Sequence, residues 1–173
     1  MKNFTLLVLL SLLFSFVASC DDDLPEPTQN GANTFGCLVN GEPWTPMVDG
    51  STEEPIDALF YLESNGSAGL TINTTKDLDR ETSQFVEVSF FAENFELNKP
   101  FFASKNIDYH NGLSEGECRW IDIDTSLQNS IIITHLDSEN QTISGTFEYT
   151  CREDECDETV VISEGRFDVQ YRQ

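Results

Sequence analysis

Basic residues are what this chain most lacks. Nine Lys and Arg stand against 31 Asp and Glu, for a formal charge of −22 and a pI near 4.1. A nucleic-acid backbone would be repelled, and no basic stripe exists to neutralise it, so DNA and RNA are excluded as partners. Charge-driven binding to anionic lipid is disfavoured for the same reason. Long apolar runs are also missing. The one continuous stretch, Phe4 to Ala18, is 15 residues broken only by Thr5, Ser11 and Ser15, whereas a bilayer-spanning helix needs about 20. Convincing helical periodicity is absent, and Lys76–Glu81 offers at most one turn. No cysteine pair has C-x₂-C spacing, which argues against a structural zinc site. Apolar content is not lacking: 39% hydrophobic and 11% aromatic residues, with 13 Phe, are too many for a disordered acidic tail.

The N-terminus carries an address. Lys2 precedes the apolar run, which reads as the h-region of an export signal, so residues 1–19 are set aside from the fold. Ala18-Ser19-Cys20 at the end of that run resembles a bacterial lipobox. The resemblance implies cleavage before Cys20 and acylation of its thiol and new amino group. Several acyl chains, at about 0.8 kcal/mol per buried CH₂, make a near-permanent anchor. The plain alternative is ordinary secretion, with Cys20 left as an unpaired thiol. Asp21-Asp22-Asp23 and the Pro-bearing stretch after it read as an acidic, flexible tether over residues 20–32. Acidic residues directly after a lipid-bearing Cys resemble the surface-export signal of Bacteroidota lipoproteins. That implies an outer-membrane lipoprotein displayed on the cell surface.

Residues 33–173 form a single domain of about 140 residues, large enough to bury roughly two thirds of its unfolded surface. Period-2 alternation dominates. Ile143, Phe147, Tyr149 and Cys151 share one face of a strand, and Ser144, Thr146, Glu148 and Thr150 the other. Phe167, Val169 and Tyr171 alternate with polar neighbours, as do Val86, Val88, Phe90 and Ala92, while Ile56, Ala58, Phe60 and Leu62 form a further face. Asn40-Gly41 and Asn65-Gly66, each between two such runs, are hairpin signals. The expectation is an all-β domain of about 8–10 antiparallel strands, either a β-sandwich or a partly closed β-barrel.

Four cysteines remain: Cys37, Cys118, Cys151 and Cys156. In an exported chain disulfides are the default, and four cysteines allow three connectivities. Cys151 and Cys156 flank Arg-Glu-Asp-Glu and can close a hairpin mouth, which leaves Cys37 with Cys118. The chain-entropy model assigns the long loop about 4.5 kcal/mol and the short one about 2.

Candidate chemistry is sparse. Gly112-Leu-Ser114-Glu-Gly116 matches the nucleophile elbow G-x-S-x-G, with His135 downstream. That motif needs a strand-to-helix turn, and Ser114 is followed by a strand-like run, so it reads as a Gly-rich loop. His110 and His135 lie in different segments without ligand partners at a recognisable offset. Glu153, Asp154, Glu155, Asp157 and Glu158 form the densest acidic cluster and are the one candidate Ca²⁺ cradle, without a D-x-D-x-D-G loop. A solvated acidic turn is the simpler reading, and no other cofactor is implied. Trp44, Trp120, Tyr61 and Tyr109 are candidates for stacking on a sugar ring where exposed, although Trp in a β domain more often belongs to the core or rim.

Two stretches together carry a resemblance. Thr34-Phe-Gly-Cys-Leu-Val-Asn-Gly-Glu-Pro-Trp44 opens the domain. Ile143-Ser-Gly-Thr-Phe-Glu-Tyr149 and Val160-Val-Ile-Ser-Glu-Gly-Arg-Phe-Asp-Val169 close it. They are similar to a family of small Bacteroidota lipoproteins of unknown function, over about residues 33–172. The resemblance brings no catalytic residues, and the Cys151–Cys156 insert departs from its closing hairpin. The functional expectation is a lipid-anchored cell-envelope protein acting as a non-enzymatic binding or structural accessory at the outer membrane, with an envelope protein or glycan as partner. Two alternatives stand: a β-barrel binder of a small apolar or carbohydrate ligand, and a hydrolase with an unrecognised carboxylate site.

Overall fold

In the computed structural model, which describes residues 24–48, 54–79, 82–102, 109–110, 119–120, 122–123, 129–153 and 158–173, the period-2 alternation becomes strand pairing throughout, and no described residue is helical. Asn40 and Gly41 both take positive φ, 52° and 85°. This is the geometry of a tight hairpin turn, and it joins β1 (Thr34–Val39) to β2 (Glu42–Trp44). Gly66, at φ 91°, turns β3 (Ile56–Leu62) into β4 (Ala68–Asp77), and the Asn65 side chain accepts from the Ser67 amide at 2.9 Å. β5 (Ser83–Ala92) follows. Four two-residue strands come next: β6 (Pro100–Phe101), β7 (Tyr109–His110), β8 (Arg119–Trp120) and β9 (Asp122–Ile123). Three long strands end the chain: β10 (Ser130–Asp137), β11 (Thr142–Glu153) and β12 (Glu158–Gln170). The turn after β10 is held by Asp137, whose carboxylate accepts from the Glu139 and Asn140 amides.

The strands form two antiparallel sheets. One has seven strands in the order β2-β1-β12-β11-β10-β6, with β9 also on β11; the other has five, β3-β4-β5-β7-β8. They stack as a sandwich and do not close, so of the two architectures expected the barrel is set aside. Proline blunts both ends of the larger sheet, Pro43 in β2 and Pro100 in β6. The smaller sheet's open edge, β3, is covered by the C-terminus: Phe60 N–H donates to the Arg172 carbonyl at 3.0 Å and Arg172 N–H to Ala58 at 2.9 Å.

The core lies between the sheets. Phe35, Ile131, Ile133, Ile143, Phe147, Tyr149, Phe167 and Val169 face Ile56, Ala58, Phe60, Leu70, Ile72, Val86, Val88 and Phe90. Two polar ties cross it. The Tyr149 hydroxyl donates to the Glu87 carbonyl at 3.0 Å, and Trp44 Nε1 to Gln84 Oε1 at 3.0 Å. One extra residue sits in β12. Between Phe147/Gly165 and Tyr149/Ile162 the register shifts, and the shift against β1 falls at the same place, beside Glu164 with its φ of 52°. This bulge reverses the strand's phase: Val160 and Ile162 point inward before it, Gly165, Phe167, Val169 and Tyr171 after it.

Candidate functional site

Two outward faces carry features beyond packing. The first lies on the seven-stranded sheet. Residues 24–32, expected as flexible tether, are instead a strap lying across it. The cause is one carboxylate. Asp168 alternates outward between Phe167 and Val169 yet is only 1% exposed. Five donors converge on it: Thr28 Oγ1 at 2.6 Å, the amides of Asn30, Gly31 and Ala32 at 3.0, 3.0 and 3.1 Å, and Ser144 Oγ at 2.8 Å. Burial raises its pKa, but the Thr28 and Ser144 hydroxyls and the Ala32 and Asn30 amides outweigh that and hold it at about 2. Further along, Gln29 donates to Thr134 Oγ1 at 3.2 Å. At its start, Leu24 is buried and Pro25 Cδ lies 2.6 Å from where a Cβ on Gly36 would stand. Only glycine at position 36 leaves room for the strap. Pro27 borders two surface cavities of about 440 and 190 Å³, which share Thr146 and Arg166 as lining.

The second face belongs to the five-stranded sheet. Alternation sends Leu59 and Tyr61 of β3, Thr71 of β4, and Ser89 and Phe91 of β5 to its outer side. Register places Tyr61 opposite Gly69 and Gly69 opposite Phe91, with Leu59, Thr71 and Ser89 in the next row. Gly69 has no side chain, so Tyr61 packs on its bare backbone, its Cζ 2.5 Å from where a Cβ would stand. The result is a shallow cavity of about 240 Å³ bordered by Leu59, Tyr61, Thr71, Ser89 and Phe91. Leu59, Tyr61 and Phe91 remain 44%, 41% and 58% exposed. Contiguous exposed apolar groups among hydroxyls are the composition of a binding surface.

The residues singled out in the sequence are dispersed. Trp44 does not reach solvent. It is buried in the core, with its ring edge-on to Phe35 at 6.1 Å and its N–H used by Gln84, because its side of β2 faces the other sheet. Of the four sugar-stacking candidates, Tyr61 is the one whose side chain is described and exposed. Trp120 and Tyr109 lie on β8 and β7, opposite one another, with their side chains outside the described residues. Cys37 is a free thiol, and no disulfide is found among the described residues. Its Sγ points into the inter-sheet core, where burial pushes its pKa up to about 12 against the opposing pull of Lys76. Cys151 is buried on β11 opposite Val160. Cys20, Cys118 and Cys156 lie outside the described residues, as do Ser114, Asp154, Glu155 and Asp157. Glu153 and Glu158 are paired across the β11–β12 ladder, and their side chains are not described. His135 is half-buried on β10 opposite Ser144, and no metal-ligating cluster occurs among the described residues. Asp168 escaped sequence reading because alternation marks it as solvent-facing. No signal in the sequence set it apart, since Glu164 and Arg166 in the same closing motif are charged as well.

Comparison of the chain with protein-family models, with curated proteins and with solved structures finds no match.

Proposed function

We propose that this chain is a lipid-anchored cell-envelope protein, held at the outer membrane through Cys20 and displayed on the cell surface, that works by binding rather than by catalysis. The observation that carries the binding reading is the exposed Leu59–Tyr61–Phe91 face on the outside of a sandwich whose opposite faces are packed into a core. The anchoring reading rests on the Ala18-Ser19-Cys20 ending of the apolar leader and the Asp21–Asp23 run after it. Chemical crosslinking of the anchored protein in its own envelope, followed by recovery, tests the first. The parent chain should recover a partner that Tyr61→Ala/Phe91→Ala does not. Recovery by both variants alike would remove this face from the account. Mass analysis of the mature N-terminal peptide tests the second, and Cys20→Ala should move the protein to the soluble fraction.

A glycan is the ligand chemistry that one observation favours. Tyr61 is braced by Gly69 and flanked by the Thr71 and Ser89 hydroxyls, so an aromatic surface and hydrogen-bonding groups share one shallow cavity. A pyranose presents the matching pair, an apolar C–H face and equatorial hydroxyls. A glycan-array hit lost in Tyr61→Ala supports this reading; a protein partner recovered with no array hit removes it.

A further inference from the structure

We infer that the strap makes the anchor short, and that the chain therefore rests on a zwitterionic phospholipid surface through one edge of the sandwich. The inference depends on Cys20 being the lipid-bearing residue. Residues 24–32 are clasped to the seven-stranded sheet through Asp168, Gln29 and Gly36. Four chain steps separate Cys20 from the buried Leu24, and at full extension they reach at most about 14 Å. A free segment over 24–32 would have added about 30 Å.

The start of the strap therefore specifies which edge lies near the lipid. Pro25 shares a surface cavity with Pro46, Pro55 and Ile56, and Ile56 pairs with Thr74 near the end of β4. Just beyond, Met47 bridges Lys76: Met47 N–H donates to the Thr75 carbonyl at 2.9 Å and Asp77 N–H to the Met47 carbonyl at 2.7 Å. Met47 and Leu78 are both exposed there. Two neighbouring carboxylates accept bonds within the protein, Asp77 from Ser83 Oγ at 2.8 Å and Asp79 from the Thr82 amide at 2.9 Å, while Glu54 beside Pro55 is exposed. Exposed apolar side chains beside Lys76 suit a headgroup layer of no net charge, whereas the charge of −22 opposes an anionic one. Phe91 lies six residues along β5 from Phe85, which pairs with Thr75. The aromatic face is thus held about 20 Å away from this edge.

The test uses the lipidated full-length protein in phosphatidylcholine–phosphatidylethanolamine vesicles, with a benzophenone amino acid placed at position 47, 78 or 91. Lipid crosslinking at 47 and 78 should exceed that at 91 several-fold. An insertion of about ten Gly and Ser residues between Asp23 and Leu24 leaves every packed residue in place and lengthens the anchor. It should bring crosslinking at 47 and 78 down to the level at 91. Equal crosslinking at all three positions in the parent, or no effect of the insertion, would overturn the edge assignment while the vesicle-bound, acylated protein still supports the anchor. Protein that carries no acyl chain and does not float with the vesicles would overturn both.

Discussion

At the scale of single residues, Asp168 does the most with the least sequence signal. Its carboxylate satisfies three backbone amides and two hydroxyls, so its charged form is favoured in the native state. The sign of the linkage follows. Its pKa is about 2 in the folded protein, below the ordinary carboxyl value of 3.8, so its contribution is complete above the unfolded pKa and is lost as pH falls through the folded one. That contribution is on the order of 2 kcal/mol. Asp168→Asn should lower Tm at neutral pH by about 5–8 °C for a domain this size. Thermal melts should show the difference from the parent shrinking as pH is lowered from about 4 to about 2. A gap that stays constant with pH would mean that the carboxylate's charge is not what holds the strap. Cys37 makes the opposite case. Export would argue for a bridge, but the Cys37 side chain is buried in the core as a free thiol. Its thiol, pushed up to about 12, should resist alkylation at neutral pH in the native protein and react fully in denaturant, as read by mass spectrometry of its peptide.

At the scale of elements, alternation and turn residues carried most of the fold. Thr34–Val39 and Ile56–Leu62 are legible because their inward residues are apolar and their turns contain Asn-Gly. The phase reversal in β12 was not legible, since it rests on Glu164 at positive φ, a conformation that sequence does not mark for Glu. The reciprocal pairing of Phe147 with Gly165 and Phe167 with Gly145 was also invisible. Each ring lies over the bare backbone opposite, and a Cβ on Gly165 would stand 2.5 Å from the Phe147 ring. Gly165→Ala should cost about 1–3 kcal/mol in urea unfolding. The C-terminal cover of β3 separates packing from charge. Tyr171 is buried against Phe60, with ring centroids 5.2 Å apart, and Tyr171→Ala should cost about 3 kcal/mol. The Arg172–Asp57 pair is bidentate at 2.6 Å, yet its side chains are 71% and 50% exposed. Arg172→Ala should therefore cost less than about 1 kcal/mol. Comparable losses in the two variants would contradict this division.

At the scale of the molecule, the acidic surface, the strap and the aromatic face form one arrangement. The acidic excess of the chain, 31 Asp and Glu against 9 Lys and Arg, opposes self-association by charge repulsion. The strap would shorten an anchor at Cys20, and Phe91 of the aromatic face lies about 20 Å along β5 from the Met47–Lys76 edge. Sequence revealed Tyr61 as a candidate but could not separate it from Trp44, because exposure depends on which face of each sheet meets the other. Photo-crosslinking from position 91 of the full-length protein in the envelope of its own cells tests the binding face. A discrete adduct is expected from position 91 and none from position 139, in the β10–β11 turn. No adduct from 91, or the same adducts from both positions, would contradict it.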